Sequence, residues 1–405
     1  MNDSPRTILS WIYIMLLRCF CFALLTAGLA GFAMTQTAQA QLPVVAPAAT
    51  KYRVYLGTYS GAKSKGIYVA EFDATTGKLS KPELAAELTN PSFVAIDPKG
   101  KRLYAVGEVA DFQGKKEGVV SSLSIDEKTG KLMLINQESS GGGGPCHVSV
   151  SPDGKVVAAA NYGGGSVCSL TVGKDGKLSQ ASFIQHEGKG GTPRQTAPHG
   201  HSINFSADGK FAFAADLGLD KVLQYKVNED GKLSPNDPPA AVLPPGSGPR
   251  HFAFHPSGKW AFAINELNMT MSPMKYDAAK GTLTVLDPVS TIPEGATGKN
   301  FSTAEVQVHP SGKFVYGSNR GHNTIAVFQF DDQTGKLKLV QNQGEGIDTP
   351  RNFTVDPTGA YVLVANQATD SVIVFKVNQD TGELTPTDEK IEVGTPVCVK
   401  FLAME

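Results

Sequence analysis

Paired cysteine is missing from this chain: Cys146, Cys168 and Cys398 stand singly, and the other two of its five cysteines, Cys19 and Cys21, fall in the first forty residues. With no C-x-x-C spacing among the three, neither a disulfide scaffold nor a zinc site is expected, and buried free thiols are. Excess charge is missing too. The 37 Lys and Arg balance 38 Asp and Glu to a net charge of -1, with the basic residues spread rather than blocked, so no footprint for nucleic acid exists. No metal or cofactor motif appears, and nothing specifies an oligomeric state. Tryptophan is limited to Trp11 and Trp260, and Trp260 falls within an apolar strand-like run, which argues against an aromatic rim for glycans.

A long apolar run occurs at Cys19 to Met34, preceded by Arg6 and Arg18 and followed by the small-residue site Ala38-Gln39-Ala40. This pattern predicts a signal peptide over 1–40, a flexible Pro- and Ala-rich leader over 41–50, and a folded domain over 51–405 that is exported to the periplasm or secreted, with no stable membrane insertion after cleavage. The competing reading is an uncleaved anchor over Ile8 to Met34.

Two turn signatures recur along the remainder. Asp97-Pro98-Lys99-Gly100, Ser151-Pro152-Asp153-Gly154, Ser206-Ala207-Asp208-Gly209, His255-Pro256-Ser257-Gly258, His309-Pro310-Ser311-Gly312 and Asp356-Pro357-Thr358-Gly359 form one set. The other is of "TGKL" type, with glycines 77, 130, 176, 231, 281, 335 and 382 separated by 53, 46, 55, 50, 54 and 47 residues. Pro presets the first corner of a turn and Gly accepts positive φ, so each signature joins antiparallel strands. Flanking runs such as "SFVAIDP" and "RLYAVGE" are short and rich in Val, Ile, Phe and Tyr. Four strands per unit of about fifty residues, seven times over, predict an all-β, seven-bladed β-propeller. "RVYLGTY" and "GIYVAEFD" read as second and third strands, so "TPVCVKF" near the C-terminus supplies the missing first strand and closes the ring.

In such a blade the start of the first strand and the end of the second share one face. Those two places hold Glu108; His147 and Asn161; His199, His201 and Asp216; Arg250, His251 and Glu266; Glu305, Asn319 and Arg320; and Arg351, Asn352 and Asn366. The opposite face carries ordinary turns, so His255 and His309 are expected to be surface histidines without a role, as are His186 and His322. Asn161, Asn265, Asn319 and Asn366 suit left-handed turn caps. The Arg and Glu residues admit two readings: an ion-pair network tying blades together, or acid/base chemistry on an anion in a concave site.

The segments "APHGHSINFSADGKFAFAADLG", "SGPRHFAFHPSGKWAFAINEL" and "VYGSNRGHNTIAVF" resemble the lactonase family of seven-bladed propellers, which includes the propeller-type 6-phosphogluconolactonases and the carboxy-cis,cis-muconate cyclase, over nearly all of Tyr52 to Phe401. The resemblance implies a catalytic set of His201 (or His199), Arg250, Glu266 and Arg320, with His147, His199, His251, Glu305 and Arg351 as substrate-binding candidates and no metal or cofactor. It also implies metal-independent opening of a sugar or related acidic lactone, with Glu266 or His201 as base and acid and the arginines on the oxyanion or a substrate anion. Export favours an unphosphorylated lactone. Alternatives are a muconate-type cycloisomerase, a calcium-dependent lactonase and a propeller that binds a glycan or protein without turnover.

Overall fold

The computed structural model describes residues 49–404, so the expected signal and residues 41–48 of the leader lie outside the described residues. Every regular element among those described is a strand, and together they form seven antiparallel sheets. Blade 3 shows the plan: Pro145–Val150, Val156–Asn161, Ser166–Val172 and Leu178–Gln185 run from the channel outwards. Blades 2, 4, 5, 6 and 7 begin at Val94, Gly200, Pro249, Ser302 and Pro350. Blade 1 takes Lys51–Thr58 and Gly66–Asp73 from the start of the domain and its inner strand from Pro396–Ala403, which pairs antiparallel along Tyr52 to Thr58. The inner strands of successive blades touch in order, and 396–403 touches Val94–Ile96 of blade 2, so the ring closes as the sequence predicts.

The second strands read "VVAAAN", "FAFAAD", "WAFAIN" and "YVLVAN", and every residue of each is buried. Such a strand lies between two neighbours in its own sheet and between two neighbouring blades, so it carries a continuous apolar run rather than an alternating one. The hydrophobic core follows as wedges between blades, such as Phe213, Ala215 and Met274 with Phe252 across blades 4 and 5, or Tyr316, Val327, Phe353 and Val364 across blades 6 and 7. Outer strands such as Leu178–Gln185 lie exposed or half-buried along most of their length.

Both repeat signatures also stitch blades together, which their turn chemistry alone does not predict. Gly335 takes a left-handed backbone at φ +76, and a Cβ there would fall 2.5 Å from the Trp260 ring of the preceding blade. His255 and His309, expected on the surface, are in fact buried at 6% and 2% exposure. The Nε2–H of each donates to a turn carbonyl of the next blade, Gly312 and Gly359 respectively, at 2.8 Å, while Nδ1 accepts the backbone N–H of Ser257 or Ser311 at 3.1 Å. The His-Pro-Ser-Gly turn is therefore an inter-blade latch. His255→Ala is expected to cost about 1–3 kcal/mol, because it orphans a buried carbonyl, and to leave turnover unchanged. Denaturant titration beside an activity assay checks this.

His186 also departs from expectation. It is buried, its Nδ1 lies 2.6 Å from Asp216 Oδ2, and Tyr225 Oη lies 2.9 Å from its Nε2. Asp216 is thus drawn away from the mouth, where it also accepts the N–H of His199 and Gly218.

Candidate active site

Inner strands are irregular at one recurrent place. In blades 1, 3, 4, 5 and 7 the register with the second strand skips one residue: Val397, Cys146, His201, Arg250 and Arg351 are the unpaired ones. In blade 6 the skip takes Ala304 and Glu305 together, opposite Ser318. Each is a β-bulge, which breaks the two-residue alternation and re-aims a side chain. Strict alternation would send Arg250 and His251 to opposite faces of one sheet. The bulge instead allows both to serve the channel, Arg250 at the mouth and His251 below it.

The mouth cavity, of about 210 Å³, is lined by Glu108, Cys146, Tyr162, Arg194, His201, Glu266, Arg320 and Arg351. Glu266 lies at its centre, one residue past the second strand of blade 5. Arg194 Nη2 donates to its Oε1 at 2.9 Å, and Arg320 Nη2 and Arg250 Nε stand 2.9 and 3.0 Å from Oε2. The Nε–H of Arg250 points off that line and makes no hydrogen bond, so this contact is an ion pair only. Backbone carbonyls anchor the forks: Arg250 Nη1 donates to Ala304 at 2.7 Å and Arg320 Nη2 to Thr303 at 2.8 Å. Burial alone would raise the Glu266 carboxyl, but Arg320, Arg250 and Arg194 outweigh it and hold it at about 2. Burial and the neighbouring Arg250 lower Arg320 to about 10.

A second anchor sits across the mouth. Arg351 Nη2 donates to Tyr59 Oη at 2.9 Å, and Tyr59 Oη and Ser92 Oγ both donate to Glu108 Oε2, at 2.8 and 2.5 Å. Four guanidinium groups, of Arg194, Arg250, Arg320 and Arg351, thus face two carboxylates, Glu108 and Glu266, an excess of two positive charges. His201 is buried on the same wall; burial first, then Arg250, push its imidazole well below 6.5, so it is neutral at pH 7. Its Nδ1 lies 3.5 Å from Cys146 Sγ, a thiol that burial pushes up and so keeps protonated.

Of the residues expected from sequence, His201, Arg250, Glu266, Arg320 and Arg351 converge here. His147, His251 and Glu305 do not; they lie deeper, around a separate cavity of about 340 Å³ that opens beside the Pro152 and Ala207 turns and includes Lys400. His147 stacks on Phe93 at 4.3 Å between ring centres, and the His251 ring lies 5.3 Å from His147 and 5.4 Å from His201. His199 is at the rim: its ring stacks on Tyr162 at 4.6 Å and its Nδ1–H donates to the Tyr162 carbonyl at 3.0 Å. It holds Tyr162, whose hydroxyl accepts from Arg194.

Asn161, Asn265 and Asn319 are not left-handed caps. They are buried at the ends of their strands, last in the case of Asn161 and Asn265 and next to last in that of Asn319, and each Nδ2 donates to the Ser or Thr hydroxyl five residues on, at 2.8–3.1 Å. Asn366 bonds the Gly346 carbonyl instead. Arg194, Tyr162 and Tyr59 were not foreseen. Arg194 comes from the irregular segment between blades 3 and 4, where no periodicity marks it, whereas Tyr59 and Tyr162 follow second strands as Glu108 and Glu266 do. The position one past the second strand was the available signal. A larger space of about 430 Å³ between blades 1 and 2 brings in no histidine or arginine. Among the described residues no three His, Cys, Asp or Glu side chains gather closely enough to hold a metal ion, and no helix is long and apolar enough to cross a membrane.

Known proteins are similar to this chain over most of its length. The chain is 38% identical over 354 residues to the 6-phosphogluconolactonase of Bacillus subtilis, covering 87% of this chain and 99% of that one. It is 33% identical over 310 residues to a 6-phosphogluconolactonase of Formosa agariphila, covering 75% and 86%. The solved structure of a Pseudomonas aeruginosa periplasmic gluconolactonase superposes with a TM-score of 0.82 at 32% identity, covering 88% of this chain and all of that one. The family described as lactonase, 7-bladed β-propeller, matches residues 53–401. Seven bladed sheets, a closed ring and this span of likeness lead to one conclusion: the chain belongs to the seven-bladed β-propeller lactonase family.

Proposed function

We propose that the protein hydrolyses an acidic sugar-type lactone at the mouth, without a metal. The observation that carries this is the excess of two positive charges shared by the cavity of about 210 Å³ and the small space beneath it, beside a neutral histidine. One charge would meet the substrate's own anion, a carboxylate or phosphate, through the planar guanidinium fork. The other would meet the oxyanion that develops when water adds to the lactone carbonyl. Arg250 and Arg320, tethered by backbone carbonyls and Glu266, need little rearrangement to do so.

The sequence leaves Glu266 or His201 as base and acid, and the electrostatics favour histidine over Glu266. A carboxylate held at about 2 is a weak proton acceptor, so Glu266 fixes the arginine forks. A neutral histidine takes a proton from water, the oxygen bonds to the carbonyl carbon, and the carbonyl electron pair moves to the oxyanion. On collapse the ring C–O bond breaks and the proton passes to the ring oxygen as a hydroxyl, giving the hydroxy acid.

The 6-phosphogluconolactonase relatives and the periplasmic gluconolactonase support an enzyme of this class working outside the cytosol. A panel of gluconolactone, 6-phosphogluconolactone, a uronic lactone and a muconolactone tests it. Acidic lactones are expected to show the higher kcat/KM, falling as salt screens the mouth, with activity unchanged by EDTA because the arginines repel a cation. Loss of activity with EDTA, or a clear preference for gluconolactone, would count against the reading.

A further inference from the structure

We propose that His251, oriented by Glu305, is the base that activates the hydrolytic water, and that the water sits in a small cavity beneath the mouth. This rests on the hydrolytic reading above and deepens it. The cavity, of about 10 Å³, is lined by Ser92, Glu108, Cys146, Arg250, His251 and Arg351 among others, and room of that size holds about one water. It shares Glu108, Cys146 and Arg351 as a common wall with the mouth cavity, so a water there stands next to a bound lactone.

The tautomer of His251 follows from its partner. Glu305 is held ionised: burial opposes this, but His251, hydrogen-bonded to it, and the Lys400 and Arg250 charges outweigh it. Its Oε2 faces His251 Nδ1 at 3.0 Å and accepts from Asn352 Nδ2, while Oε1 accepts the Val306 N–H at 3.0 Å and Gln307 Nε2 at 3.3 Å. A carboxylate has no proton to give, so Nδ1 carries the hydrogen and Nε2 presents a bare lone pair. Nε2 is buried and without a partner, in a residue only 4% exposed. A buried acceptor left unpaired is costly and calls for an occupant, and a water donating to Nε2 supplies one. Glu305 is then the positioning residue that fixes the imidazole and stabilises the imidazolium formed when the water's proton arrives. His201 remains on the mouth wall as a contact to the lactone. His251 keeps the proton until the ring oxygen leaves and then returns it, so no proton is lost.

Glu305 cannot be merely a packing residue on this reading, and the pH profile separates the cases. Burial lowers His251 to about 4, Glu305 pulls it up, and Arg250 and Lys400 push it down; His147, His201, Glu108, Cys146 and Arg351 are the other titratable or charged groups around it. Wild type, Glu305→Gln and His251→Asn are assayed on the best acidic lactone, each shown folded by circular dichroism. Expected are a fall in kcat of about 100-fold or more for His251→Asn and about 10-fold or more for Glu305→Gln, with KM within about threefold. The acid limb of the Glu305→Gln profile moves to lower pH, because the charge that raised His251 is gone. Parental kcat and an unmoved acid limb in folded Glu305→Gln overturn the proposal alone. If the wild type opens no lactone, the hydrolytic reading falls and takes this with it.

Discussion

Arg250→Met is expected to lower kcat/KM on the preferred lactone by about 100- to 1,000-fold while the chain stays folded, the range seen when one oxyanion donor is removed. Arg250, like Arg351, reaches both spaces: it pairs with Glu266 at the mouth and lines the small cavity beside His251. Its fork is set by the Ala304 carbonyl across blades 5 and 6, so a flexible lysine ammonium would not reproduce it. Methionine keeps most of the volume, and Glu266 retains Arg194 and Arg320, so the loss falls on chemistry. The check is steady-state kinetics beside thermal unfolding. Activity within about threefold of parental would mean that Arg250 serves the ion-pair network alone.

Glu266→Gln is expected to fail in the other way, by destabilising the fold. The wild-type carboxyl is held at about 2 against its ordinary 4.5, so the folded state favours the ionised form. That contribution is fully present above pH 4.5 and is lost as pH falls towards 2. Taken at face value the shift corresponds to about 3 kcal/mol. Stranding the buried, like-charged Arg250 and Arg320 without their counter-ion argues independently for about 3–5 kcal/mol. Urea unfolding from pH 3 to pH 7 should show stability rising with pH in the wild type and a flatter profile in Glu266→Gln. Parallel curves would contradict the ion-pair account. Because Glu266 also orients two forks, turnover falls with it, and the pH profile of stability is what sets the two effects apart.

The seven-fold repeat made the architecture readable before any coordinates. Turn glycines at nearly constant spacing fixed the number of blades, and "TPVCVKF" betrayed the closing strand because it matched first strands elsewhere. Part of the site was readable for the same reason: Glu266 directly follows its second strand and Arg320 ends its own, at a place the repeat defines. Sequence could not separate Arg250 from His251, or Glu305 from Arg320, by depth. Their layer depends on a bulge, and a bulge leaves no trace in a hydrophobic pattern of period two. His255 and His309 were misread for a related reason. A histidine in a Pro-Gly turn looks solvated until the neighbouring blade is placed against it, and that contact spans 57 and 50 residues. Arg194 lay in an irregular segment with no register to place it at all.

The repeated bulge bears on how chemistry changes in this fold. Each of five blades offers one unpaired inner-strand residue to the mouth or to the small cavity beneath it, at a point where no ladder partner constrains its side chain. The occupants here are His201, Arg250 and Arg351, beside the chemically quiet Cys146 and Val397. Divergence can therefore proceed one socket at a time, an acid or a hydroxyl replacing the thiol or the valine, while the interlocked rings and latches between blades go on holding the scaffold. New specificity in this architecture is a matter of re-tenanting sockets rather than rebuilding walls.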